Sequence, residues 1–66
     1  MKTNGQRLKE ARINAGMTQA QAGRLVGMNA PGISHYETDR NVPSVINAIK
    51  LCDAYGVWVE DVFKVE

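Results

Sequence analysis

The chain has 66 residues, a net charge of +1 and one cysteine. A chain of this length buries only about 60% of its unfolded surface, so we expect residues 1–66 to form a single domain around one core. Cys52 has no partner for an internal disulfide, and neither a signal peptide nor a long apolar run is present. These features exclude a disulfide scaffold and a membrane protein, and they predict a soluble protein of the reducing cytoplasm.

The charge is unevenly distributed along the chain. Residues 1–40 contain six basic and three acidic residues, whereas residues 41–66 contain two basic and four acidic residues. The net charge of the whole chain only weakly indicates a polyanionic partner. The distribution of charge favours the basic N-terminal part for any contact with such a partner.

Capping residues and glycines divide the chain into five predicted short helices, and no period-2 alternation predicts a strand. The first helix runs from about Asn4 to Ala15, after a capping box of Thr3 and Gln6, and Gly16 ends it. One face of this helix contains Leu8, Ala11, Arg12 and Ala15.

The second and third helices are short and close together. Thr18 and Gln21 form a second capping box, and Gly27 marks the end of the second helix. Asn29 caps the third helix, in which Pro31 is tolerated because a first-turn position has no intrahelical bond to lose.

The fourth helix begins after Ser44 and ends at Gly56, and a last helical segment covers Val59 to Phe63. The fourth helix has a predicted buried stripe of Val45, Ala48, Ile49, Cys52 and Tyr55.

The segment from Gln19 to Glu37 predicts two helices that cross around a tight bend. Gly23 provides the small residue that a close crossing requires, and Gly27 can adopt the left-handed conformation of a sharp turn. Ile33 and Tyr36 would anchor one side of the third helix to the core. The outer side then contains Ala30, Pro31, Ser34 and His35.

This pattern resembles the lambda-repressor-like helix-turn-helix family, which includes phage repressors and Cro proteins. The similarity covers most of the chain, and its residues are Leu8, Arg12, Met17-Thr18-Gln19, Gly23, Gly27, Ile33, Tyr36-Glu37, Pro43-Ser44, Gly56-Val57 and Val59-Glu60-Asp61-Val62-Phe63. The resemblance implies an all-α, compact bundle of five short helices in which helices 2 and 3 form the helix-turn-helix. It also implies a sequence-specific transcriptional regulator of the Cro or repressor type, with no cofactor.

In that family the third helix lies in the major groove of double-stranded DNA and the second helix lies across the phosphates. The resemblance therefore implies that Ala30, Pro31 and His35 face base edges, with Ser34 at the margin of the contact. It implies phosphate contacts for Gln19, Asn29, Arg40 and Asn41.

Ala30 and Pro31 depart from the family's common usage, because neither can form a bidentate hydrogen bond with a base. Both can contact thymine methyl groups, and His35 can hydrogen-bond a purine edge. Direct readout would then be sparse, and sequence-dependent DNA shape would have to contribute to specificity.

The resemblance also places Arg12 beside Glu37. A buried ion pair there would fix the third helix to the scaffold, whereas an exposed pair would contribute under about 1 kcal/mol. In either case the pair is structural and not catalytic.

Trp58 stands where the family commonly has a small capping residue, and exposed aromatic residues are favoured at interfaces. We therefore expect a homodimer contact around Trp58, in which Val59, Val62 and Phe63 are divided between the core and the interface. One small module makes few base contacts, and two-fold pairing doubles them over half-sites about 34 Å apart. We expect the dimer to be weak and reinforced by DNA.

Other functions are less well supported. Cys52 is expected to be a buried core thiol, and a single histidine without nearby ligands does not predict a metal site. The run from Gly27 to Gly32 lacks the Lys-Ser/Thr of a phosphate loop, and no catalytic set is present, so we expect no enzyme and no small-molecule substrate. The remaining alternative is an antitoxin or adaptor that uses the same fold to bind a protein.

Overall fold

The structure is a computed structural model that describes residues 1–64, and every regular element within them is a helix. The elements are α1 (Asn4–Asn14), α2 (Gln19–Leu25), α3 (Ala30–Glu37), α4 (Val45–Tyr55) and α5 (Val59–Val62). The predicted all-α fold of five short helices is confirmed, and α1 and α5 each end one residue earlier than predicted. No helix in this part of the chain is long and apolar enough to cross a membrane.

Both predicted capping boxes are formed. Gln6 donates its backbone N–H to Thr3 Oγ1 at 3.1 Å, and its side chain accepts from the backbone N–H of Thr3 at 2.8 Å. Thr18 and Gln21 repeat this exchange at 3.1 Å and 2.9 Å. Each box satisfies two backbone donors that the first turn of a helix leaves without partners, and so fixes where α1 and α2 begin.

The bend between α2 and α3 depends on two glycines. Gly27 has a φ of 68°, in the left-handed region that side chains with a Cβ rarely adopt. The backbone N–H of Met28 donates to Gly23 O at 2.8 Å. A Cβ at Gly23 would lie 2.6 Å from the carbonyl oxygen of Met28, so no larger residue fits without moving the backbone. The two roles predicted for Gly23 and Gly27 are therefore confirmed.

The core joins all five helices. Its buried residues are Leu8, Ala11, Ala22, Ile33, Tyr36, Leu51, Cys52, Tyr55 and Val62. Leu8, Ile33 and Leu51 are fully buried, and burying one such side chain contributes roughly 1.5–3 kcal/mol. Cys52 is a fully buried thiol, as predicted, and burial raises its pKa.

The predicted buried stripe of α4 is partly wrong. Val45 and Ile49 are 75% and 51% exposed, and Leu51 occupies the core instead. Eight of the eleven residues of α4 are apolar, so apolar residues lie on every side of the helix. Periodicity alone therefore could not determine which side packs against the other helices.

The start of α1 packs against the end of α3 through a contact that the sequence did not predict. A Cβ at Gly5 would lie 2.6 Å from Tyr36 O and 2.7 Å from Glu37 O. The backbone N–H of Gly5 donates to Asp39 Oδ1 at 2.9 Å, and Asp39 has a positive φ of 62°. The end of α3 is thus held by α1 as well as by the core.

Candidate nucleic-acid interface

Helix α3 begins with a side-chain cap. Asn29 Oδ1 accepts a hydrogen bond from the backbone N–H of Gly32 at 3.1 Å, and Pro31 lies within the first turn. The cap uses the side-chain oxygen of Asn29 and leaves its amide nitrogen available for another acceptor. The local sequence therefore fixes the N-terminal end of α3, where the predicted base-facing residues begin.

One side of α3 is anchored to the protein. Ile33, Tyr36 and Glu37 are buried, and Tyr36 Oη accepts a hydrogen bond from Asn47 Nδ2 at 3.3 Å. Successive helical residues are 100° apart, so the other side of α3 contains Ala30, Pro31, Ser34 and His35, which are half-buried or exposed. The structure thus brings the four predicted base-facing residues together on one side of a helix.

A buried polar network fixes α3 to α1 and α2. Arg12 donates to the carboxylate of Glu37 through Nε at 2.7 Å and Nη2 at 3.1 Å, and through Nη1 to Met17 O at 2.9 Å. The side chains of Arg12 and Glu37 are only 10% and 1% exposed, which places the pair in the buried case. The hydrogen bond to Glu37 raises the pKa of Arg12, against the opposing effect of burial.

Gln19 joins this network. Its Nε2 donates to Glu37 Oε1 at 3.1 Å, and it lines a shallow depression together with Ser34. An amide group has two N–H donors and one acceptor, so one donor of Gln19 remains for a phosphate oxygen. The carboxylate of Glu37 therefore anchors α3 and also orients Gln19, the predicted phosphate contact.

The loop after α3 folds back over the end of that helix. The backbone N–H groups of Arg40 and Asn41 both donate to His35 O, at 2.9 Å and 3.1 Å. Arg40 Nη1 lies 3.3 Å from His35 Nε2. Because arginine can only donate, the two groups form a hydrogen bond in the tautomer of His35 that carries its proton on Nδ1, and Nδ1–H is then the remaining donor. Arg40 and Asn41 are exposed beside the predicted base-facing side of α3.

Arg7 is a structural residue. It donates through Nε to Val62 O at 2.8 Å and through Nη1 to Lys2 O at 2.6 Å, and it also bonds Asn4 Oδ1. The bond to Val62 O ties α1 to α5, and the other two hold the guanidinium at the start of α1.

The four residues predicted for the dimer contact do not form one surface. Trp58 is 74% exposed, but Val59 and Phe63 are half-buried and pack against the core. Of the three residues expected to be divided between the core and the interface, Val62 belongs to the core, because its side chain is only 3% exposed. Within residues 1–64, no group of three metal-ligating side chains is close enough to hold an ion.

A family of sequences described as the helix-turn-helix domain matches residues 5–62. The chain is 35% identical over 60 residues to YgzD, an uncharacterized HTH-type transcriptional regulator of Bacillus subtilis strain 168, with 91% of each chain covered. It is 40% identical over 53 residues to the HTH-type transcriptional regulator ImmR of the same organism, covering 80% of this chain and 42% of ImmR.

Two solved structures have the same fold. The P22 c2 repressor, solved in complex with a synthetic operator, superposes with a TM-score of 0.88 at 24% identity, with both chains fully covered. The restriction-modification controller protein C.AhdI of Aeromonas hydrophila gives a TM-score of 0.79 at 28% identity, covering 91% of this chain and 87% of the controller. From the sequence match and the fold together, the chain belongs to the lambda-repressor-like family of helix-turn-helix transcriptional regulators.

Proposed function

We propose that this protein binds a double-stranded DNA operator with α3 in the major groove and represses transcription by occupying that site. The observation that carries the proposal is the two-sided character of α3. Three buried residues and a buried ion pair fix one side, while short side chains and one imidazole occupy the other. A helix that reads base edges needs this combination of rigid support and a free outer side.

Base contacts would come from the outer side of α3. Ala30 and Pro31 fit thymine methyl groups, Ser34 can donate or accept, and the Nδ1–H of His35 can donate to a purine N7 or to O6 of guanine. These contacts discriminate weakly between base pairs. We therefore expect sequence-dependent DNA shape to supply part of the specificity, so that exchanging uncontacted base pairs at the centre of the operator changes the affinity.

Phosphate contacts would come from the ends of the motif. Gln19 lies at the start of α2, Asn29 caps α3, and Arg40 and Asn41 follow α3 in an exposed loop. Such contacts position the protein on the duplex without reading its sequence. The bonds of Gln19 to Glu37 and of Arg40 to His35 couple these contacts to the helix that reads the bases.

The protein would act as a Cro-like or repressor-type homodimer in the cytoplasm, where the operator is located. One small module makes few base contacts, and pairing two modules on half-sites about 34 Å apart doubles them.

Selection of bound sites from a random pool of DNA duplexes tests the proposal. We expect a two-fold symmetric consensus rich in A·T base pairs, and an affinity for it that falls steeply between about 50 mM and 200 mM salt as counterions are released. Recovery of no enriched sequence, together with an affinity that does not depend on salt, would contradict the proposal.

The charge of Arg40 provides a residue-level test. Arg40→Ala should weaken binding to a single half-site by a similar factor for all sequences, and should reduce the slope of log affinity against log salt by about 1. Lys50→Ala is the matched control, because it removes the same charge from the exposed side of α4. Equal effects of the two substitutions would show that Arg40 acts only through the net charge.

A protein-binding adaptor is the second candidate, and the apolar start of α3 at Ala30 and Pro31 favours it. An apolar contact between proteins changes little with salt, so the same titration separates the two functions.

A further inference from the structure

One side of α4 carries an excess of exposed apolar residues. Among residues 1–64, eight large hydrophobic side chains are exposed, and five of them lie on or next to α4. These five, which we call the α4 surface, are 51–85% exposed and comprise Val42, Val45, Ile46, Ile49 and Trp58. The core does not use them, and the contacts proposed for DNA do not include them.

Four members of the α4 surface lie along one side of the helix. At 100° per residue, Val45, Ile46 and Ile49 fall within a 100° arc of α4, and Asp53 and Gly56 continue the same side. Asp53 and Gly56 line a shallow depression together with Trp58. The surface therefore extends along the whole helix, from Val42 before it to Trp58 after it.

The size of the α4 surface fits a weak contact. From their exposed fractions, the five side chains present on the order of 500 Å², within the roughly 300–600 Å² of the largest patch on a typical monomer. Two copies that covered each other's surface would bury on the order of 1,000 Å², just below the about 1,200–2,000 Å² of stable complexes. An area of this size is compatible with a dimer that forms weakly in solution and more completely on DNA.

The charges beside the apolar residues are self-complementary. Lys50 and Asp53 are both exposed on α4, one helical turn apart, and no ion pair within residues 1–64 engages either side chain. Two α4 helices can pair antiparallel about a two-fold axis that places Lys50 of one copy opposite Asp53 of the other. The symmetry repeats this contact with the two copies exchanged, so two such pairs form. The same axis brings Val45 of each copy towards Trp58 of the other. A two-fold interface requires such a self-complementary patch.

The position of the surface in the chain is also compatible with DNA binding. Val42 directly follows Arg40 and Asn41, so the α4 surface begins where the proposed phosphate contacts end. Pairing through it uses none of the residues on the outer side of α3.

We propose that the α4 surface is the site at which a second copy of this chain binds, with the two α4 helices antiparallel. The part of this proposal that concerns dimers on DNA rests on the proposed operator binding. The part that concerns association in solution does not. The proposal moves the dimer contact from the end of α5 to α4 and retains only Trp58 of the residues predicted from the sequence.

Sedimentation equilibrium of the full chain between about 10 µM and 1 mM tests association in solution. We expect concentration-dependent association of the unsubstituted chain with a Kd above micromolar, weakened at least tenfold by Ile46→Glu. Ile13→Glu is the matched control, because Ile13 on α1 is 55% exposed and Ile46 is 66% exposed. Circular dichroism of both variants should show unchanged helix content.

Charge reversal tests the antiparallel geometry. Lys50→Glu and Asp53→Lys should each associate less than the unsubstituted chain, because each places like charges opposite one another. An equimolar mixture of the two variants should associate more strongly than either alone, because the mixed dimer restores both opposite-charge pairs. A mixture no stronger than its components would overturn the antiparallel pairing.

Titration of duplexes with one or two half-sites separates this inference from the proposed function. We expect Ile46→Glu to bind one half-site normally and to lose cooperative binding to two. Two outcomes would overturn the self-association site without affecting the proposed function. One is retained cooperativity in Ile46→Glu, and the other is an unsubstituted chain that is monomeric both at 1 mM and on two half-sites. Absent binding to any half-site by the unsubstituted chain would instead overturn the proposed function.

Discussion

The helix-turn-helix and α4 are positioned by different kinds of interaction. In α2 and α3 the determinants are directional, and include side-chain caps, a glycine against a carbonyl, and an arginine that donates two hydrogen bonds to one carboxylate. Helix α4 has a side-chain cap at Ser44 and one hydrogen bond to Tyr36, but its packing against the other helices is otherwise apolar, through Ala48, Leu51, Cys52 and Tyr55. Similar apolar residues remain on its exposed side. The comparison indicates that directional contacts constrain the orientation of α3 more closely than apolar contacts constrain that of α4.

The largest expected effect comes from the ion pair that joins α1 to α3. Arg12→Ala leaves the carboxylate of Glu37 buried without its partner, which should cost about 3–5 kcal/mol in urea unfolding and can unfold so small a domain. Replacing both residues, with Arg12→Met and Glu37→Leu, should recover most of that stability because no uncompensated charge remains.

The exposed pair of Lys2 and Glu10 is the control for the Arg12 substitution. Both side chains are more than half exposed, so Lys2→Ala should cost under about 1 kcal/mol. A loss as small for Arg12→Ala would show that directional polar contacts do not determine the position of α3.

The next effect distinguishes the two buried tyrosines at alkaline pH. Burial raises the pKa of Tyr55 to about 12, and its hydroxyl has no hydrogen-bond partner among residues 1–64. The folded state therefore holds the proton more tightly than the unfolded state, whose pKa is about 10. Stability is complete below pH 10 and should fall by on the order of 2–3 kcal/mol between pH 10 and pH 12.

Tyr55→Phe should remove most of this alkaline loss, and at neutral pH it should leave stability unchanged or slightly higher. Tyr36→Phe should instead cost about 1 kcal/mol at neutral pH, because the hydroxyl of Tyr36 is bonded to Asn47. Urea unfolding of both variants from pH 7 to pH 12 is the measurement. If both variants gave the same response, the hydroxyl groups on α3 and α4 would not differ in hydrogen bonding.

A smaller effect is expected for two glycines of the motif. Gly23→Ala puts a Cβ 2.6 Å from a backbone carbonyl oxygen, which cannot move without shifting α3, and should cost about 1–3 kcal/mol. Gly32→Ala puts a Cβ 2.5 Å from the terminal methyl of Met28, a flexible group that can move. It should be close to neutral, since alanine also favours the helix by about 0.5–1 kcal/mol. Thermal unfolding compares the two, and equal losses would contradict the importance of the close crossing.

The sequence predicted the directional part of the fold better than the apolar part. The capping boxes and the roles of Gly23 and Gly27 depend on residues within a few positions of one another, so local rules located them. Which side of α4 is buried depends on helices that are distant in sequence, and the apolar residues around α4 fit several answers. The prediction for Val45 and Ile49 was wrong for that reason.

The candidate site shows the same division. The outer position of Ala30, Pro31, Ser34 and His35 followed from helical spacing once Ile33 and Tyr36 were assigned to the core. The bond between Gln19 and Glu37 and the contact between Gly5 and Asp39 join segments 18 and 34 residues apart, and no local pattern indicates them. The burial of Val62 likewise depends on how α5 packs against α1, which donates to its carbonyl through Arg7.

Amide chemical shifts of the ¹⁵N-labelled chain, titrated with a duplex that carries one selected half-site, show which helix contacts the DNA. We expect the largest changes at Gln19, at the amide-bearing residues from Asn29 to His35, and at Arg40 and Asn41, with Val45, Ile46 and Ile49 unchanged. Changes centred on α4 with α3 unaffected would contradict the assignment of α3 to DNA and of α4 to contact between proteins.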